Sequence, residues 1–181
     1  MSEYNLEELK ILVVDDNRHM NAILRAILNA MRIKHIRYCD DPADAFSEMR
    51  DGAPDIIITD WKMDPLDGLD FTRLVRTAQD SPNPYVPIIM LTGYTERYRI
   101  CEARDAGVNE FLKKPIAITG LRARIINIIE NPRVFIKTKS YFGPDRRRRR
   151  NDKNYKGLRR RADDEAVEGV TDFCDVAASA K

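Results

Sequence analysis

Cysteine is scarce in this chain: three in 181 residues, at Cys39, Cys101 and Cys174. The number is odd and the spacing unpatterned, which leaves no disulfide framework and no zinc-ligand spacing. Histidine is scarcer still, with only His19 and His35, and neither stands in a metal-site context. No apolar run approaches the ~20 residues that span a bilayer. The N-terminal stretch carries Glu3, Glu7, Glu8 and Lys10 in place of a signal-peptide apolar core. These absences lead to the expectation of a soluble, cytoplasmic chain without membrane insertion.

What is present is a core-forming fraction of 43% hydrophobic residues and an uneven charge layout behind a net charge of only +2. Residues 1–131 hold 17 basic against 21 acidic side chains, residues 137–161 hold 12 against 2, and residues 162–181 hold 1 against 6. The alternation of sign divides the chain into a short lead (1–8), a folded domain (9–131), a basic arm (132–161) and an acidic end (162–181), the last expected to be disordered.

Within the domain, short apolar runs alternate with helical periodicities. Ile11–Val14, His35–Tyr38, Ile56–Asp60, Ile88–Leu91 and Val108–Leu112 read as strands. Met20, Ile23, Leu24, Ile27, Leu28 and Met31 give one helix an apolar face, with Asn17 as its cap; Asp41-Pro42 opens a second helix. Leu69, Leu74, Val75 and Ala78 suggest a third, Thr95 to Ala106 a fourth ending at Gly107, and Leu121, Ile125, Ile128 and Ile129 a fifth stopped at Asn131-Pro132. Five βα units in strict alternation imply a doubly wound parallel α/β sheet with helices on both faces.

In such a sheet the strand ends share one edge, and ligands bind there. Four strand ends carry polar residues: Asp15-Asp16, Asp60, Thr92 and Lys114. Crowded carboxylates raise one another's pKa, and a divalent cation offsets that repulsion. All-oxygen ligands favour a hard ion, and Mg²⁺ takes one or two carboxylates plus waters and phosphate. The set is suited to bringing a phosphoryl group onto Asp60 as an aspartyl phosphate. Mg²⁺ and Lys114 would offset charge on the transferring oxygens, and the Thr92 hydroxyl would donate to one of them. Lys113, one residue earlier, points to the opposite face by strand alternation and reads as a solvated charge.

The pattern Val13-Val14-Asp15-Asp16, Asp60 with Asp67-Gly68 behind it, Met90-Leu91-Thr92-Gly93 and Lys114-Pro115 resembles a response-regulator receiver domain over about residues 9–131. Trp61, directly after the aspartate, is familiar from the chemotaxis receiver. The resemblance implies a flavodoxin-like sheet of order 2-1-3-4-5, the order given for a receiver relative in general accounts of doubly wound folds. It implies Asp16 as a direct Mg²⁺ ligand, Asp15 acting mainly through water, and the Lys62 main-chain carbonyl as a further ligand. Phe111 falls at the family's switch aromatic, paired with Thr92. The chain would then be a signalling protein of a two-component phosphorelay and not an enzyme beyond its own phosphorylation and dephosphorylation. A histidine kinase or phosphotransfer protein would act upstream, a protein partner downstream. The family's usual proline four residues after the phosphoacceptor is Asp64 here, with Pro65 next, so the loop shape should differ. Lys62 and Tyr94 occupy the positions that in this family tune access of water to the phosphoryl group. The lack of a second nucleophile or a cysteine–arginine phosphate loop argues against a small phosphatase on the same α/β geometry.

The arm carries Arg146, Arg147, Arg148, Arg149 and Arg150, then Arg159, Arg160 and Arg161. It is too short and too charged for a winged-helix DNA-binding output domain. Its first part alternates weakly and could form an extended edge strand; the rest has too few apolar residues for a core. Arginine binds phosphate and guanine edges bidentately and stacks on flat rings, with Tyr141, Phe142 and Tyr155 as nearby surfaces. The Gly-Pro-Asp-Arg-Arg-Arg run is similar to arginine-rich extensions on some stand-alone alphaproteobacterial receivers, which implies cyclic di-GMP binding and docking to the flagellar motor. Salt-sensitive nucleic-acid binding and a solvated tail remain the other readings of the arm. The acidic end could fold back on it.

Overall fold

The computed structural model describes residues 4–93, 97–138, 141–146 and 165–167. Tyr94, Arg147, Arg148, Arg149, Arg150, Tyr155, Arg159, Arg160 and Arg161 lie outside the described residues, as does the expected start of the fourth helix at Thr95.

Strands β1 (Lys10–Val14), β2 (His35–Cys39), β3 (Ile56–Asp60), β4 (Ile88–Thr92) and β5 (Glu110–Lys113) alternate with helices α1 (Arg18–Ala30), α2 (Pro42–Gly52), α3 (Gly68–Thr77), α4 (Arg97–Ala106) and α5 (Ile118–Glu130). All neighbouring pairs are parallel and the order is β2-β1-β3-β4-β5. The fold expected from the alternation is the fold observed. Asn17 caps α1, its side chain accepting from the His19 and Met20 amides, and Asp41 caps α2 with Pro42 as the first helical residue.

The central strands are buried on both faces, and alternate residues feed separate cores. Ile11, Val13, Ile56, Ile58, Ile89 and Leu91 meet Leu24, Leu28, Leu121 and Ile125 of α1 and α5. Leu12, Val14, Ile57 and Ile88 meet Ala45, Met49, Phe71 and Val75 of α2 and α3. Each fully buried aliphatic side chain contributes about 1.5–3 kcal/mol relative to exposure. A smaller cluster of Trp61, Leu69, Met90, Ala103, Ala106 and Val108 seats α4.

Several boundaries and faces differ from those read in the sequence. Ile23 and Leu74, placed on inner faces by periodicity, are largely exposed, while Phe71, Thr72 and Arg76 complete the inner face of α3. The fifth strand pairs from Glu110 and not from Val108, because the Val108 amide is taken by the Ala103 carbonyl in the turn at Gly107, whose φ is +105°.

The first part of the basic arm forms a hairpin. Strands β6 (Phe135–Lys137) and β7 (Phe142–Pro144) pair antiparallel, and β8 (Glu165–Val167) pairs antiparallel on the other side of β6. The acidic segment thus does return to the arm at the level of the backbone, with Glu165 opposite Lys137. The hairpin packs on the domain through aromatic rings: Tyr85 lies 5.1 Å from Phe135 and 5.3 Å from Phe142, centroid to centroid. Arg76 of α3, 3% exposed, fixes the junction. It donates to the Gly107 carbonyl (3.2 Å), the Pro84 carbonyl (2.7 Å) and Asn109 Oδ1 (3.0 Å), and its guanidinium lies 5.1 Å from the Phe135 ring centroid. Buried Glu110 pairs with Arg124 at 3.2 Å and with Arg133, at the root of the arm, at 3.4 Å.

Candidate functional site

Register builds the site. Val14 lies opposite Thr59, and Asp60 opposite Leu91, so extending each strand by one residue brings Asp15, Asp60 and Thr92 to one edge. The last pairing of the sheet, Thr92 with Lys113, delivers Lys114 immediately beyond. The Lys114 amide donates to the Thr92 carbonyl at 2.8 Å, and the side chain turns back to Asp60.

Asp60 is 7% exposed. Its Oδ2 lies 2.8 Å from Lys114 Nζ, and its Oδ1 accepts the Trp61 amide at 2.7 Å. Asp15 is fully buried. Its Oδ1 accepts the Asn17 amide at 2.8 Å, but its buried Oδ2 has no hydrogen-bond partner. Burial is the main force pushing the Asp15 carboxyl up to about 6; the negative charges of Asp60 and Asp16 add to it, and the Asn17 amide and the Lys114 cation oppose it. Asp16 is exposed at the rim, as are Lys62 and Lys113. Thr92 is buried, and a Cβ added to Gly93 would meet no atom within 4 Å, so the approach beside Thr92 is open. Phe111 is half-buried against the Trp61 cluster.

The loop between Asp60 and α3 is closed by the Gly68 amide donating to the Trp61 carbonyl at 2.9 Å, and Asp67 caps α3 by accepting the Asp70 amide. The shifted proline of this loop is the cis residue Pro65. In the sequence Asp67-Gly68 is a spacing mark; in the structure the glycine allows the tight approach of Gly68 to Asp60. The unpartnered Oδ2 of Asp15, beside Asp60, is the chemistry a hard cation would satisfy. Among the described residues no three His, Cys, Asp or Glu side chains converge as a ready cage. The donor set, oxygen atoms of a few carboxylates, suits Mg²⁺.

The arm's aromatic residues are committed elsewhere than the sequence placed them. Tyr141 is buried within the hairpin, its hydroxyl donating to the Pro144 carbonyl at 2.7 Å, and its ring holds the Arg146 guanidinium at 4.0 Å. Phe142 belongs to the cluster with Tyr85 and Phe135. Of the eight arginines singled out in the arm, Arg146 is the one within the described residues, and it pairs with Asp105 of α4 at 2.7 Å.

Carboxylates and a lysine gathered at the C-terminal edge of a 2-1-3-4-5 sheet define the receiver class of two-component signalling. The family model for the response regulator receiver domain matches residues 11–126, and the chain belongs to that family. Among its relatives, the chemotaxis protein CheY of Pseudomonas aeruginosa is 34% identical over 122 residues, covering 67% of this chain and 97% of that protein. The chemotaxis protein CheY-3 of Vibrio cholerae is 31% identical over 124 residues, covering 68% and 94%. Among solved structures, Vibrio cholerae CheY4 superposes with a TM-score of 0.61 at 25% identity, over 67% of this chain and 98% of that one. The receiver domain of Saccharomyces cerevisiae Ssk1, crystallised with the histidine phosphotransfer protein Ypd1, shares the fold with a TM-score of 0.59 at 23% identity, over 67% and 89%. The matched region ends before the arginine arm. Among the described residues no helix is long and apolar enough to cross a membrane.

Proposed function

We propose that Asp60 is the phosphoacceptor of a receiver that signals by protein–protein contact. A carboxylate oxygen of Asp60 attacks the phosphorus of a phosphohistidine on a kinase or phosphotransfer protein; the P–N bond breaks as the P–O bond forms, and the imidazole leaves with its electron pair. The observation that carries this reading is the 2.8 Å contact between Lys114 Nζ and Asp60 Oδ2 beside the unsatisfied buried Oδ2 of Asp15. The cation is already placed where phosphoryl charge would arrive, so little reorganisation is needed. Asp15, Asp16, Asp60 and the Lys62 main-chain carbonyl would hold Mg²⁺, which supplies further neutralisation of phosphoryl oxygens when bound. The Thr92 hydroxyl would donate to a phosphoryl oxygen, and Thr92 with Phe111 would pass the change to the face formed by β4, α4 and β5.

Incubation with acetyl phosphate and Mg²⁺ tests the assignment. Wild type should gain one phosphoryl group, lost on treatment with hydroxylamine, and Asp60→Asn should gain none. Equal labelling of Asp60→Asn would place the acceptor elsewhere.

A second reading concerns the arm, in which the arginine segment captures an anionic ligand such as cyclic di-GMP while the receiver serves as a docking platform. The density of guanidinium groups after Arg146 supports it. Tyr141 and Phe142, packed into the hairpin, would not supply the stacking rings. Calorimetric titration of the dinucleotide at low and moderate salt, against a random DNA duplex, separates this reading from electrostatic nucleic-acid binding, which falls steeply with salt.

A further inference from the structure

We propose that the hairpin of β6 and β7 is a clamp on α4, so that occupancy of Asp60 and release of the hairpin are linked equilibria. The inference rests on the reading of Asp60 as phosphoacceptor. Its basis is that both partners grip the same short helix.

One grip is at the site. Trp61 follows Asp60 directly, its amide donates to Asp60 Oδ1, and its side chain packs in one buried cluster with Ala103 and Ala106 of α4. The other grip is at the arm. Asp105, which lies between those two alanines in sequence, pairs with Arg146 at 2.7 Å, and the Arg146 guanidinium lies over the Tyr141 ring, 4.0 Å from its centroid. The Arg146 cation helps hold the Asp105 carboxyl below its ordinary range, against the opposing effect of burial. Directly after α4, Gly107 meets the hairpin backbone: a Cβ built on Gly143 would lie 3.1 Å from Gly107 Cα and 2.7 Å from the Tyr141 hydroxyl. Gly107 also gives its carbonyl to Arg76, whose guanidinium faces Phe135 of β6.

The helix α4 spans ten residues, about 15 Å, and is too short to bend appreciably between the two grips. A change at Trp61 that shifts α4 therefore displaces Asp105 and Gly107 from their hairpin partners. A ligand moves such an equilibrium only by its difference in affinity for the two states, and the effect is reciprocal. On this proposal the clamp holds α4 in the arrangement that takes up a phosphoryl group less readily. Losing them should make the Asp60 site easier to occupy, and occupying the site should loosen the hairpin.

Trp61 is the single tryptophan in the chain and stands beside the acceptor, so its fluorescence reads the site directly. Full-length protein with Mg²⁺ would be titrated with beryllofluoride, a phosphoryl mimic, as wild type, Asp60→Asn, Arg146→Gln and Gly143→Val. Wild type should respond and Asp60→Asn should not. Both clamp variants should bind about fivefold more tightly than wild type. Hydrogen exchange of wild-type amides in residues 135–144 should quicken by a similar factor when beryllofluoride is bound. Clamp variants that bind no more tightly than wild type, or hairpin amides that exchange at an unchanged rate, overturn the clamp while leaving the phosphoacceptor standing. A wild type without a response that Asp60→Asn removes overturns both. Should Gly143→Val fail to fold, Arg146→Gln, whose side chain is half-buried and stays polar in the variant, carries the test alone.

Discussion

Gly68 stands against the main chain of Asp60: a Cβ added to Gly68 would lie 2.1 Å from the Asp60 carbonyl oxygen. The obstacle is backbone at the end of a fully buried strand, which cannot swing aside as a side chain would. Gly68→Ala should therefore displace the loop that carries Trp61 and Lys62 and cost about 2–3 kcal/mol of stability. Urea unfolding measures the loss, and phosphorylation by acetyl phosphate should slow in parallel. A variant as stable and as active as wild type would show that the start of α3 can shift freely.

Among the described residues, Lys114 supplies the cation observed on Asp60. Its charge also lowers the Asp15 carboxyl pKa. Lys114→Gln keeps length and polarity but removes that charge. Phosphoryl uptake should fall roughly 100-fold, the usual cost of one pre-placed charge-stabilising donor. Stopped-flow fluorescence of Trp61 with acetyl phosphate and Mg²⁺ gives the rate. A fall under threefold would mean that charge at this edge is neutralised by other groups.

Arg76 binds three acceptors and one aromatic face at the seam between domain and hairpin. Burial lowers its pKa to about 9, so it stays charged at neutral pH. Arg76→Met would fill much of the volume but leave the Pro84 and Gly107 carbonyls without its donors. The expected destabilisation is about 3 kcal/mol or more. Hydrogen exchange should locate the loss first in residues 135–144 and around Gly107.

Tyr141 gives the hairpin a pH dependence of defined sign. Burial raises its phenol from the ordinary 10 to about 12 in the folded chain. The folded state holds that proton more tightly than the unfolded one. The stabilisation is therefore complete below pH 10 and lost as pH rises through 12. Against Tyr141→Phe, which has no proton to lose, wild type should lose about 2–3 kcal/mol across that window. Urea midpoints of the two proteins at pH 8 to 11 would show the gap beginning to shift, and a constant gap would contradict the buried phenol.

The fold and the gathering of polar residues at one sheet edge were readable because they depend on local rules: strand alternation, helix periodicity and the position of polar residues at strand ends. Asp15, Asp60, Thr92 and Lys114 converge by register alone, and register follows from alternating cores. Ile23 and Leu74 were misplaced because a helical apolar stripe is wider than the surface it buries. Arg76 was invisible for the opposite reason. A buried arginine in a helix carries no local signature, since its acceptors come from the turn at Gly107, Asn109 and the Pro84 carbonyl, all distant in sequence. The first part of the arm reads as a possible extended edge strand from its weak alternation, and its apolar residues are too few to bury one another as a hairpin. They are buried against Tyr85 and Arg76 of the domain instead, a contact that only the tertiary structure reveals.

The pairing of β7 and β8 on opposite sides of β6 has a consequence for the chemistry of the arginine segment. Both run antiparallel to β6 and so parallel to each other, and in sequence they are joined by residues 145–164. All eight arginines of the arm lie within that connection. They belong to a ring closed by strand pairing, and the entropy of bringing its ends together is spent when the sheet forms. A polyanion that engages both arginine runs then meets cations already tethered to one another, at an effective concentration fixed by the ring's length. Opening the ring at β8 would leave every arginine in place and still weaken such a ligand.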